Sequence, residues 1–287
     1  MRKLLSAALF RTTRHPVFLA ILLVLPAVLG IATGNTLRYG VDDLFLLPML
    51  FAFGAFVALS WGREHGDGTL RNKVIAGYSR GQVFFAELLL NTALCTLMML
   101  IFAVFTTVFG FSVLGKVPAT VLLRVGLCLL LSAVGMGALL SAVCCLISNR
   151  ALSAIVGVLL VLCLMYGATS LQHVLEQEPT FTMEYFDENG EFTHAEELEN
   201  HLYVHEPLRT ALDVANRANP FGQLNQCMAA LSEYVYDWGD GYEPHYDVTA
   251  EKAELTARLN TLPLISLFST AAICAAGWAL FRRRNLK

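Results

Sequence analysis

Six apolar stretches, at 16–34, 44–61, 84–110, 119–147, 152–172 and 259–281, constrain this chain of 287 residues more than any other feature. About 20 apolar residues in a helix cross a hydrocarbon core of ~30 Å, and inside that core the backbone finds hydrogen-bond partners only in helices or closed barrels. The expected fold is an all-α polytopic membrane protein with six transmembrane helices. A composition of 56% hydrophobic and 15% charged residues, with a mean hydropathy of +0.57, excludes an ordinary soluble domain of this length. The third and fourth stretches exceed one crossing, so they tilt or continue beyond the lipid as ordinary helix.

Basic residues orient such a chain, because Lys and Arg in short loops stay on the cytoplasmic side. Taking the N-terminus as inside assigns 13 of the 20 basic residues to cytoplasmic segments. Both termini are therefore expected in the cytoplasm, in a cell membrane. Arg2 and Lys3 ahead of an apolar run ending near Ala32 and Gly34 also resemble a signal peptide. Arg11 and Arg14 divide that run, however, and favour an amphipathic interfacial helix (Leu4, Leu5, Ala8, Leu9) followed by a separate span opening at Pro16. The membrane domain is expected over 1–172, an external insertion over 173–258, and the last span with a basic tail over 259–287.

The insertion holds 18 of the 23 acidic residues against four basic ones. Acid of this density keeps an ectodomain solvated, and it also suits capture of a cationic substrate. Thr180 to Phe186 and Glu191 to Thr193 flank Asn189-Gly190, a hairpin signal. Pro207 to Ala218, Pro220 to Tyr236 and Ala250 to Leu259 read as helices, giving a small α+β insertion. Six of the seven cysteines (Cys95, Cys128, Cys144, Cys145, Cys163, Cys274) fall in the apolar spans and only Cys227 in the insertion, so no disulfide forms within that domain.

Several motifs invite chemical readings. Gly110-Phe111-Ser112-Val113-Leu114-Gly115-Lys116 begins like a phosphate-binding loop, but Val117 replaces the Ser or Thr that holds magnesium and no strand precedes it. Glu197, His201 and His205 would share one face of a helix as metal ligands, with His173, His194 and His245 elsewhere in the insertion. Surface histidines, or sensing of external acidity, are the alternatives. Asp237, Asp240 and Asp247 stand near glycines but depart from the calcium-loop spacing. Within the spans, Arg124 and Glu87 lie near opposite ends, where long side chains snorkel to the interface. Without a midplane relay of acids or histidines, an ion-coupled carrier is disfavoured.

The polar island from Gly62 to Arg80, GREHGDGTLRNKVIAGYSR, separates the second and third stretches. Gly66 and Gly68 allow a tight turn, Thr69 suits a helix cap, and Leu70, Val74 and Ile75 offer apolar anchors at helical spacing. Glu64, Arg71, Lys73 and Arg80 supply polar contacts around them. The order Glu64, Gly68-Thr69-Leu70, Ser79-Arg80 between spans two and three resembles the E-x-x-x-G-T-L…S-R pattern of ABC-2 type transporter permeases, the membrane subunits of ATP-driven exporters. Asn219-Pro220-Phe221-Gly222-Gln223 is similar to a segment of their external insertion.

The resemblance spans the whole chain and implies that 62–80 forms a coupling helix seated on a separate ABC ATPase subunit. Its contacts would be Glu64, Gly68, Thr69, Leu70, Arg71, Lys73 and Arg80. It further implies a second permease chain, identical or homologous, in the lipid bilayer. No catalytic or metal site and no cofactor are expected in this chain, ATP and magnesium being bound by the partner, and no nucleic acid is expected as partner. Glu87 stands where many members of that family have a basic residue beginning the third span. A different class of reading is a sensory or immunity membrane protein whose acidic ectodomain binds a cationic peptide without moving it. Ser132, Gly135, Gly137, Ser141, Thr106 and Thr107 suit either a transport path or plain helix packing.

Overall fold

Long apolar runs leave the backbone few solutions other than helix, and the computed structural model is 82% helical. It describes residues 2–37, 46–186, 192–235 and 248–283. Among the described residues, five helices are long and apolar enough to cross a membrane: Pro16–Thr36, Arg80–Phe109, Ala119–Cys144, Arg150–Leu175 and Leu255–Arg283. That is the make-up of a multi-pass membrane protein.

In chain order, α1 (Arg2–Thr13) precedes α2 (Pro16–Leu19), a π-helical turn (Ala20–Val24) and α3 (Leu25–Thr36), which run on as one helix. The stretch expected as the second span becomes α4 (Leu46–Gly66), which continues through Gly62-Arg63-Glu64-His65-Gly66. A short α5 (Thr69–Ile75) leads into α6 (Arg80–Phe109), a single turn α7 (Phe111–Leu114), α8 (Ala119–Cys144) and α9 (Arg150–Leu175). Then come β1 (Thr180–Phe186), β2 (Phe192–Glu199), α10 (Leu208–Ala218), α11 (Pro220–Val235) and α12 (Val248–Arg283). The Asn189-Gly190 turn, Asp237, Asp240, His245, Asp247 and the tail beyond Arg283 lie outside the described residues.

The core sits around α4, where Met49, Leu50, Phe53, Phe56, Val57, Ala58 and Trp61 are wholly buried between α8 and α9. Large apolar side chains such as Val17, Leu123 and Phe268 point outward instead. A belt of that kind is anomalous in water and ordinary against lipid.

The segment expected as an insertion has two parts. The antiparallel β1–β2 hairpin pairs Thr180 with Glu199 through Phe186 with Phe192. By contrast, α10 and α11 form a helical hairpin that enters the bundle and packs on α8, α9 and α12. Its tip is Asn219-Pro220, with Asn219 Nδ2 donating to the Leu164 carbonyl at 2.8 Å and Pro220 lying beside Gly135. Leu164 is eleven residues short of the end of α9, so the tip reaches about 16 Å below that end.

Irregular backbone at such depth persists only where its polar groups are satisfied by protein. Asn219 Oδ1 accepts from the Phe221 amide at 3.0 Å, Gln223 Nε2 donates to the Arg217 carbonyl at 2.9 Å, and Ser132 Oγ donates to Gln223 Oε1 at 3.0 Å. Gly222 is required by proximity: a Cβ there would stand 2.1 Å from the Asn216 carbonyl oxygen. The Asn-Pro-Phe-Gly-Gln order is thus the chemistry of a buried helix-helix corner.

Candidate functional site

The Gly62–Arg80 island begins as the last turn of α4, and its course is set by two glycines of positive φ. Gly68 caps α5 at φ 65°, a conformation that costs L-residues strain, and Gly77 at φ 93° ends it. Ser79 then opens α6 with a capping box: its Oγ accepts from the Gln82 amide at 3.2 Å, and its own amide donates to Gln82 Oε1 at 3.0 Å. Gly66 needs no such explanation, being helical with open space around it.

Thr69 was expected to cap α5 and does something else. Its hydroxyl points back to α4, 2.7 Å from Glu64 Oε2 and 3.0 Å from the Glu64 carbonyl. One turn later, Lys73 Nζ donates to Glu64 Oε2 at 2.7 Å and to Glu87 Oε1 at 2.5 Å. Arg11 of α1 pairs with Glu64 and stands 3.9 Å from Glu87. Two carboxylates and two cations therefore join α1, α4, α5 and α6 in one knot.

The Glu64 and Glu87 side chains are only 7% and 2% exposed, which makes the pairing obligatory. An ionised carboxylate removed from water without a partner costs several kcal/mol. Glu87 consequently does not snorkel, as its position in the third apolar stretch suggested. It is the buried acid to which the α5 lysine is bound.

The seven residues expected to face a partner do not share one face. Glu64, Thr69 and Lys73 turn inward to the knot, and Leu70 is buried at 3% exposure. Arg71, together with Asn72 and Ile75 (72% exposed), forms the outward face of α5, with Val74 half-buried at its edge. Gly68 is exposed in the preceding turn. Arg80 reaches sideways, donating from Nη1 to the Arg282 carbonyl at 3.2 Å. Beneath these contacts Trp61, Phe84 and Phe281 pack with ring centroids 5.4 to 6.4 Å apart. The beginning of the chain, α5 and the end of α12 thus share one end of the bundle.

Sequence reasoning missed Arg11 and Glu87 as members of this site and Gln82 as half of the capping box. The Ser-x-x-Gln spacing was a readable signal; the charged pairing was not, since it joins residues up to 76 positions apart. The remaining motifs resolve structurally. Glu197 lies on β2 whereas His201 and His205 follow it in a turn and loop, so no helix face gathers them. Glu197 accepts from Thr180 Oγ1 at 2.7 Å, and His194 stacks on Tyr185. Among the described residues, no three His, Cys, Asp or Glu side chains are grouped to hold a metal ion. Gly110 to Lys116 forms the α6–α7 corner, preceded by helix. Gly137 packs against Thr92 and Cys95, and Gly135 against Thr270 and Pro220, as helix-packing positions do.

No protein-family model matches this chain, and no curated protein matches it.

Proposed function

We propose that this chain is the permease subunit of an ABC-2 type exporter, which moves a substrate across the cytoplasmic membrane on ATP hydrolysed by a separate subunit. The observation that carries the reading is α5: a short helix fastened through Lys73 to Glu64 of α4 and Glu87 of α6 on one side, with Arg71, Asn72 and Ile75 exposed on the other. A force applied to the exposed face would pass through Lys73 into α4 and α6 together. That is the requirement for a coupling helix driven from outside.

In this reading α4 is a sixth crossing beside the five, and the α5 end faces the cytoplasm, since α1, α5 and the end of α12 gather basic residues there. Both termini are then cytoplasmic, and β1–β2 with the mouth of the α10–α11 hairpin lies outside. A second permease chain, identical or homologous, completes the path, and closure of the ATPase pair shifts the bundle between inward- and outward-facing states. No covalent chemistry is assigned to this chain.

The test is co-purification with an ATPase subunit, followed by ATP-dependent export from reconstituted vesicles. Ile75→Asp together with Arg71→Glu should abolish association and export while leaving the thermal midpoint of the permease unchanged. Export that persists in this double variant would sink the proposal.

A further inference from the structure

Cys227 has no second cysteine within its own segment, but the fold supplies one from α8. The α10–α11 hairpin enters the bundle with α11 antiparallel to α8, and successive contacts fix the register. Pro220 lies against Gly135, where a Cβ would stand 3.4 Å from the proline Cγ. One turn along, Ser132 Oγ donates to Gln223 Oε1 at 3.0 Å. The next turn brings Cys128 opposite Cys227. Positions advance by three and then four along α11 while they retreat by three and then four along α8, the spacing that keeps one seam in contact on both helices.

At that step the two side chains meet. A hydrogen bond joins the Cys128 and Cys227 thiols, and the Cys128 thiol also donates to the Leu259 carbonyl of α12 at 3.7 Å. Both are free thiols, Cys128 2% exposed and Cys227 wholly buried. Burial decides which reagents matter. An oxidoreductase that carries its own reactive disulfide has no access to either sulfur, whereas a small uncharged peroxide diffuses into apolar surroundings.

We infer that Cys128 and Cys227 are a redox pair that hydrogen peroxide closes into a disulfide, stapling the α10–α11 hairpin to α8. One sulfur takes an oxygen from the peroxide, giving a sulfenic acid and one water. The facing sulfur then displaces that oxygen as a second water, and the S–S bond forms. Two thiols are oxidised and one peroxide is reduced, with no further co-reactant. A dithiol reverses the bond by exchange. The bond joins residues 99 positions apart, and closing so long a loop restricts the unfolded chain and stabilises the folded one. None of this depends on the export reading, because the chemistry requires neither ATP nor a partner chain.

The test uses the full chain purified in detergent and carrying Cys163→Ser, which removes the exposed thiol and leaves six. After treatment with hydrogen peroxide, thiols are counted in denaturant. Six should fall to four, and dithiothreitol should restore all six. Peptide mapping should place the new bond between Cys128 and Cys227, and the thermal midpoint should rise on oxidation and return on reduction. In the same background, Cys128→Ser and Cys227→Ser should each start with five thiols, form no disulfide and show no rise in midpoint. The inference is overturned if six thiols remain, if mapping finds a bond between other cysteines or a sulfinic acid at either member of the pair, or if the midpoint does not rise when the bond forms. Should the Cys128→Ser and Cys227→Ser variants fail to fold, mapping of the chain that retains both cysteines decides alone.

Discussion

Lys73 shows how much one side chain carries in this fold. Its ammonium links α5 to Glu87 and also holds Glu64. Removing it by Lys73→Met leaves two buried carboxylates with Arg11 alone, and loss of one partner from a buried pair costs about 3–5 kcal/mol. A lower thermal midpoint is expected, and Lys73→Met with Glu87→Gln should recover much of it, which a double-mutant cycle measures. At the exposed start of α10, Glu206 presents a second, milder case. Hydrogen bonds from Thr210 hold its carboxyl below the usual range. A depressed folded value means that this cap is fully present above the unfolded pKa and is lost as pH falls through the folded one. Exchange of the Thr210 amide should therefore quicken, relative to its neighbours, in acid below the ordinary Glu range. At this scale the sequence was least legible: Glu87 read as a snorkelling end residue because nothing local marks a partner fourteen positions earlier.

The elements were easier to foresee, since apolar length and glycine or serine punctuation are local properties. The apolar runs, α5 after Gly68, the β hairpin and the helices at 208–218 and 220–235 all lie close to their expected places. What periodicity could not supply was depth. Acidic composition gave no sign that part of 173–258 packs into the bundle, yet α11 is buried from Pro220 to Cys227, with Asn219 and Gln223 satisfying the polar groups of its corner. Gly222→Ala tests this corner directly. The added methyl would meet backbone, which cannot swing aside, and overpacking of that kind costs about 1–3 kcal/mol. Gly167→Ala, with open space around it on α9, should leave the thermal midpoint unchanged or raise it.

For the whole molecule, the proposal is an energy-receiving end at the knot. Ile75→Asp with Arg71→Glu is expected to remove ATP-dependent export while the thermal midpoint of the chain stays where it was. A loss of thermal stability in this variant would argue that the outward face of α5 braces the fold and is not a docking face. The knot could not be assembled from the sequence, because it joins side chains from four helices, whereas the helices themselves were written in single uninterrupted runs.

One property of the knot bears on a quantity of the membrane and not of the protein. The formal charges of Arg11, Lys73, Glu64 and Glu87 sum to zero. A lone charge moved through the full transmembrane potential gains or loses about 2.3 kcal/mol per 100 mV. A neutral quartet displaced as a unit does no net electrical work, so in the proposed stroke the knot itself would add no dependence on the membrane potential.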